Sequence, residues 1–183
     1  GAKVNPVGGY FVKEMDVMSV VDMARTAKRG GKPVLDDPVM RDKLVDYMAA
    51  HPQCPVATVA VRCSASVYQH LTTDQSAGRV GGTTVVLNDA GQALYFSKRV
   101  LPHIKPGDPA EAHPPVLLHV GLYAYRAAAL AEYVATPASQ LELLEGLEQL
   151  RFLSKAIPVA VVAVEPPDWD LIELNNPTDL PVI

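Results

Sequence analysis

Residues 159–164 read Val-Ala-Val-Val-Ala-Val, six apolar residues without a polar break. So short and uniformly apolar a run suits a strand buried on both faces, which calls for a sheet with a layer packed on each side. Val56–Val61 is a second short β-branched strand. Thr83–Leu87 is a third, followed by a turn at Asn88–Gly91 and a continuation or hairpin partner at Gln92–Ser97. Helical patterning lies between them: Val39–Ala50 places Met40, Leu44, Val45 and Met48 inside. Residues 64–82 are polar and contain glycine, as in a loop or a weak helix. Strands alternating with helices predict an α/β domain with a mostly parallel sheet.

The front of the chain carries less pattern. Val12, Met15, Val20 and Met23 suit one face of a helix over Val12–Lys28, and Arg29-Gly30-Gly31-Lys32-Pro33 reads as its stop. The double glycine matches neither a P-loop nor a dinucleotide fingerprint. At 183 residues, with 49% hydrophobic and 20% charged residues, the chain suits one globular domain. The net charge of −4 argues against a surface that coats nucleic acid, but leaves room for a local nucleotide site. No apolar run reaches the length of a membrane span. The opening GAKVNP lacks the layout of a signal peptide, so a cytoplasmic protein is expected. Cys54 and Cys63 have no partner motif and read as two inert thiols.

Chemistry-bearing side chains concentrate between His119 and Arg151. HVGLYAYR has strand character, with Val120, Leu122, Tyr123 and Tyr125 alternating about Gly121 and Ala124. QLELLEGLEQLR is helical, with Leu141, Leu144 and Leu147 expected in the core, Leu150 continuing the stripe, and Glu142, Glu145, Glu148 and Gln149 between them. Asp36-Asp37 ahead of Pro38 reads either as a helix cap or as a pair of oxygen ligands for a hard cation. Lys98, Arg99, His103 and Lys105 form either a solvated basic loop or an anion-binding edge. There is no nucleophile elbow and no zinc spacing. From the residues alone, the chain is an α/β domain able to handle a polar ligand at its strand ends.

The segments VVLNDAGQALYFSK, HVGLYAYR and QLELLEGLEQLR, in that order, resemble the cytidylyltransferases that make CMP-Kdo from 3-deoxy-manno-octulosonate (Kdo). The family pattern is close to ALYFSR, RHIGIYAYR and SPLExxESLEQLR, and DDPVM followed by VATVAV is similar to its GDEPLI element. The similarity covers residues 36–183. It implies a doubly wound sheet of the nucleotide-diphospho-sugar transferase type, with a small dimerisation arm and a homodimer. The implied reaction is CMP transfer from CTP to the anomeric hydroxyl of Kdo or a related acid sugar, with Mg²⁺ and release of pyrophosphate, for lipopolysaccharide or capsule synthesis. By the same resemblance His119, Tyr123, Glu148 and Gln149 contact the sugar acid. Asp36 and Asn175 hold the metal, and Asp36 and Lys98 carry the catalytic charge. For Glu142, Glu145 and Arg151, salt links on the helix face are at least as well motivated as ligand contact.

The chain departs from the pattern at several points. Asn175 stands where the family has an aspartate, keeping a carbonyl oxygen for Mg²⁺ but removing a charge. Lys98 replaces an arginine, and Thr84 a lysine. Nothing in residues 1–35 matches the family's PARxxSxRxPGKP loop, which grips the nucleotide. Residues 1–183 are therefore expected to be one cytidylyltransferase-like domain without that loop. Either segments of a longer chain are missing at the N-terminus and between Leu35 and Asp36, or the protein is a reduced relative without normal activity. The alternatives to the Kdo enzyme are a non-catalytic sugar-acid binder and a nucleotidyltransferase for a different sugar.

Overall fold

The computed structural model of the protein describes residues 3–4, 10–11, 28–29, 32–33, 38–166 and 170–172. Near the N-terminus, Lys3–Val4 pairs antiparallel with Tyr10–Phe11, and Lys28–Arg29 with Lys32–Pro33. The residues flanking Gly30-Gly31 are thus extended, where a helix terminus was expected. The rest of the helix expected over residues 12–28 lies outside the described residues. So do Asp36, Asp37 and Asn175.

The main body opens with α1 (Pro38–Ala50), which begins with a proline where a missing N–H costs nothing. β1 (Val56–Arg62) follows, then α2 (Ala65–Ser76), which Ser64 caps by accepting the Val67 N–H. That helix lies in the stretch that reads as a loop or a weak helix. β2 (Thr84–Leu87) and β3 (Ala93–Ser97) form the expected hairpin. Next come the long β4 (Leu117–Tyr125), α3 (Ala127–Ala135), α4 (Gln140–Glu145), α5 (Leu150–Ser154) and β5 (Val159–Val164).

The five strands form one sheet in the order β3-β2-β4-β1-β5. Strand direction differs from the expectation: among the described residues only β1 and β5 pair in parallel, and the other three pairings are antiparallel. The physical reason is where β4 inserts. β1, β2 and β5 each follow a helix and run the same way, as crossover connections require. β4 runs against them and sits between β1 and β2, while the short turn at Asn88–Gly91 forces β3 to reverse. The hairpin also curls over the sheet: Gln92 bridges to Ala160, and the Val161 N–H donates to Gly91 O at 2.9 Å.

Helices cover both faces, as the α/β assignment predicts. On one face Met40, Leu44 and Met48 of α1 and Val67 and Leu71 of α2 pack on Val59, Val61 and Leu118. On the other, Ala129, Leu150 and Phe152 pack on Val56, Val85, Phe96 and Val159. β1 is the strand buried on both faces. Among the described residues β5 lies at the sheet edge, and there Val162 is only half-buried and Ala163 is exposed, short of the full burial its composition suggests.

The leucine stripe requires a second correction. QLELLEGLEQLR is not one helix: Gly146 ends α4 in the left-handed region at φ 64°, and α5 starts only at Leu150. Leu147 and Leu150 are buried, but Leu141 and Leu144 are exposed, Leu144 by 75% and its neighbour Leu143 by 71%. Glu142 occupies the inward position on α4, which turns the leucines around it outward.

Arg126 ties the two layers together at the end of β4. Its backbone N–H donates to Pro55 O, and its guanidinium donates to Met48 O at 2.5 Å in the last turn of α1 and to Cys54 O at 3.4 Å in the loop that follows. Arg126→Ala is expected to lower unfolding free energy by about 1–3 kcal/mol through these carbonyls left unpaired. Urea denaturation measures it, and an unchanged midpoint would show that the cap carries no stability.

Candidate active site

β4 is irregular where its chemistry lies. Ala60 pairs with His119 and Thr58 with Tyr123, so β1 advances two residues (58 to 60) while β4 advances four (119 to 123). The two extra residues bulge out at Gly121, whose φ of 79° lies in the region glycine adopts without strain. An even number of added residues keeps the alternation in phase, so His119, Tyr123 and Tyr125 all face the α3–α5 side.

On that side the aromatic rings form a continuous row. Phe96 meets His119 edge-on at 5.1 Å between centroids, and His119 meets Tyr123 at 5.2 Å. Tyr123 stacks on Tyr125 at 5.4 Å, and Phe152 links Tyr125 to Tyr133. His119 is buried, with Nε2 3.1 Å from the Thr58 hydroxyl, which itself donates to Leu122 O at 2.7 Å. Tyr123 Oη is buried without a hydrogen-bond partner. Desolvation drives the Tyr123 phenol pKa well above its ordinary value, and the Tyr125 and Glu148 side chains add to the effect. The nearby Thr58 hydroxyl acts the other way without satisfying Oη at hydrogen-bond geometry. A buried hydroxyl left unpaired in this way is a place for a ligand's polar group.

The 139–151 segment closes over this row. Ser139 and Glu142 form a reciprocal capping box at the start of α4. Glu142 is also gripped by Arg151, both side chains being buried: Nε donates to Oε2 at 2.7 Å and Nη2 donates to Oε1. Arg151 Nη1 donates to Thr136 O at 3.1 Å, and the guanidinium lies 4.0 Å over the Tyr133 ring. Glu142 and Arg151 are structural, in line with the salt-link expectation.

Glu145 clamps the end of β3. Its carboxylate accepts from Ser97 Oγ at 2.9 Å, the Lys98 backbone N–H at 3.1 Å and Tyr95 Oη at 3.3 Å. The Lys98 ammonium then lies over Gly146, 3.0 Å from where a Cβ would stand, and the φ of 64° at that position favours glycine. Lys98 is half-buried, while Arg99, His103 and Lys105 are exposed, which fits the solvated-loop reading for those three.

Glu148 and Gln149 follow directly. The Glu148 side chain is substantially exposed, yet desolvation of its carboxylate raises the pKa. Glu142 adds to the rise and Arg151 opposes it. Gln149 is buried. Of the residues expected at the site, the structure therefore joins His119 to Tyr123 directly, with Glu148 close enough to perturb Tyr123. Lys98 is held against the turn that leads to Glu148 and Gln149. Asp36 and Asn175 lie outside the described residues. Among the described residues no group of three or more His, Cys, Asp or Glu side chains converges to hold a metal.

The structure adds Thr58 and Glu145 to the expected set. Thr58 had one sequence signal, a hydroxyl alone in the apolar run VATVAV, where it must find a partner once buried. Glu145 had none that separates it from Glu142.

The chain resembles known proteins over most of its length. A family model described as Cytidylyltransferase matches residues 34–159. A 3-deoxy-manno-octulosonate cytidylyltransferase of Nitratidesulfovibrio vulgaris (strain DP4) is 38% identical over 155 residues, covering 85% of this chain and 56% of that protein. The protein of that name from Maricaulis maris (strain MCS10) is 37% identical over 122 residues, covering 67% of this chain and 46% of that one. The chain thus spans about half the length of the curated relatives it matches. A solved structure of CMP:2-keto-3-deoxy-manno-octonic acid synthetase complexed with CTP superposes with a TM-score of 0.59 at 31% identity. It covers 79% of this chain and 54% of that one.

Arg151→Met leaves the Glu142 carboxylate buried without its partner, and is expected to cost about 3–5 kcal/mol of stability. Thermal or urea unfolding measures the change; a loss below about 1 kcal/mol, the worth of an exposed pair, would contradict the buried geometry.

Proposed function

The chain belongs to the cytidylyltransferase family, and on that premise we propose that it transfers CMP from CTP to Kdo or a closely related acid sugar. The observation that carries the acceptor is the buried, unpaired Tyr123 hydroxyl beside His119 and Glu148. A polyhydroxy carboxylate needs several donors and acceptors over an apolar floor. Tyr123, His119, Glu148 and Gln149 supply the polar groups, and the aromatic row supplies the floor.

The anomeric hydroxyl of the sugar attacks the α-phosphorus of CTP. The new O–P bond forms as the bond to the β-phosphate bridging oxygen breaks, pyrophosphate leaves, and the hydroxyl proton passes to solvent. No protein nucleophile is required, so the protein contributes positioning and charge. Lys98, held by the Glu145 clamp and Gly146, offsets negative charge at the end of β3. A divalent ion, Mg²⁺, neutralises phosphate charge when bound. Asp36 and Asn175, a carboxylate and an amide carbonyl, are the hard oxygen donors we assign to it. We read residues 1–183 as one domain that works in the cytoplasm, where CTP is available, for surface polysaccharide synthesis. No helix among the described residues is long and apolar enough to cross a membrane.

We also propose that the protein works as a homodimer through the outer surface of α3 and α4. Val134, Leu141, Leu143 and Leu144 are exposed there on successive helices, more apolar surface than a helix pair normally leaves to water.

Incubation with CTP, Kdo and Mg²⁺ is expected to release pyrophosphate. Tyr123→Phe and Glu148→Gln should each raise KM for the sugar by about tenfold, the worth of one hydrogen bond, with little change in KM for CTP. No release with either Kdo or its amino-sugar analogue would refute the assignment. In sedimentation velocity the wild type should run as a dimer and Leu143→Asp/Leu144→Asp as a monomer; a double variant that stays dimeric would move the interface elsewhere.

A further inference from the structure

We propose that Thr84 is the positioning residue that fixes the turn carrying Lys98. Past the end of β3 the chain is neither helix nor strand, yet each of four consecutive backbone N–H groups is bound by a side chain. Lys98 N–H donates to Glu145 Oε2 at 3.1 Å and Arg99 N–H to Ser97 Oγ at 3.0 Å. Val100 N–H donates to Gln75 Oε1 at 2.8 Å and Leu101 N–H to Thr84 Oγ1 at 3.2 Å. The Thr84 hydroxyl also donates to Arg99 O at 2.6 Å. Thr84 therefore grips the turn twice, by a carbonyl and by an N–H.

A hydroxyl can hold both groups because it gives one proton and keeps lone pairs to accept another. Thr84 is fully buried and pairs across the sheet with Ser97, the last residue of β3. Its hydroxyl ties the turn to β2, while Gln75 ties it to α2 and Glu145 to α4. Thr84 stands where the family pattern has lysine, a side chain with no acceptor to offer the Leu101 N–H. What the turn presents is cationic: Lys98 is half-buried and Arg99 exposed. Among the described residues no carboxylate forms an ion pair with the Lys98 ammonium. An ammonium on a flexible stem does not aim itself, so the backbone that carries it decides where the charge stands. A charge fixed before an anion arrives needs no reorganisation when it does.

Amide hydrogen exchange of the full chain tests the hold, and pyrophosphate release tests what it serves. Leu101 N–H should be protected in the wild type. Thr84→Val, similar in shape but without the hydroxyl, should speed its exchange about tenfold while the β2–β3 ladder keeps its protection. The same variant should lower kcat/KM about tenfold, and Thr84→Ser should restore it, which separates the hydroxyl from mere filling of space. In a Lys98→Ala background Thr84→Val should cost less than about twofold, because a residue that acts through Lys98 then has nothing to position. Exchange at Leu101 as fast as in open chain overturns the inference in the wild type, even if Thr84→Val does not fold. A further loss of about tenfold in the Lys98→Ala background overturns it as well. The kinetic arm rests on the charge role proposed for Lys98. A chain that shows the exchange change but releases no pyrophosphate supports the Thr84 assignment and removes the reaction instead.

Discussion

The Glu142–Arg151 pair is the interaction on which the geometry of the site depends. Two buried charges are costly unless each is matched, and here both are: Glu142 by Arg151 and the Ser139 capping box, Arg151 also by the Thr136 carbonyl and the Tyr133 ring. The pair draws α3, α4 and α5 into one body over the sheet. Because Glu142 takes the inward position on a helix of six residues, the chain must turn at Gly146 before it can continue. That turn brings Glu148 close to the tyrosine row and gives the Lys98 ammonium its place.

A second constraint comes from the opposite side of the site. β4 carries two residues more than β1 can pair, and the strain-free way to hold them is a glycine in the left-handed region together with a side-chain hydroxyl on the displaced carbonyl. The site therefore lies between an irregular strand, stitched by Thr58, and a broken helix, locked by an ion pair. Regular elements would present these side chains less closely. Irregularity in both elements at the same place is typical of positions shaped for a ligand.

Much of this was legible in the sequence where a local rule applied. β1, the β2–β3 hairpin and α1 follow from β-branched runs, turn residues and a proline start, and the placement of His119 and Tyr123 on one face follows from strand parity. The direction of β4 was not legible, because alternating strands and helices say nothing of a strand that inserts between two others. The leucines misled for a different reason. A repeat of every three residues fits neither a straight helix nor a broken one uniquely, and only the Glu142–Arg151 contact, made nine residues apart, decides which side of α4 is buried. Thr58 and Glu145 likewise depend on partners 47 to 64 residues away, beyond any pattern of neighbours.

The curl of the β2–β3 hairpin has a consequence for the company the sheet can keep. An edge strand of valine and alanine, flat and uncharged, is the kind of template on which a second chain adds itself. In this protein the Val161 amide is already spoken for by Gly91, and Ala160 by Gln92. The molecule thus supplies its own neighbour for the centre of its most adhesive strand. A polar turn, Asn88 to Gln92, stands where a stranger's backbone would otherwise find open hydrogen-bonding groups.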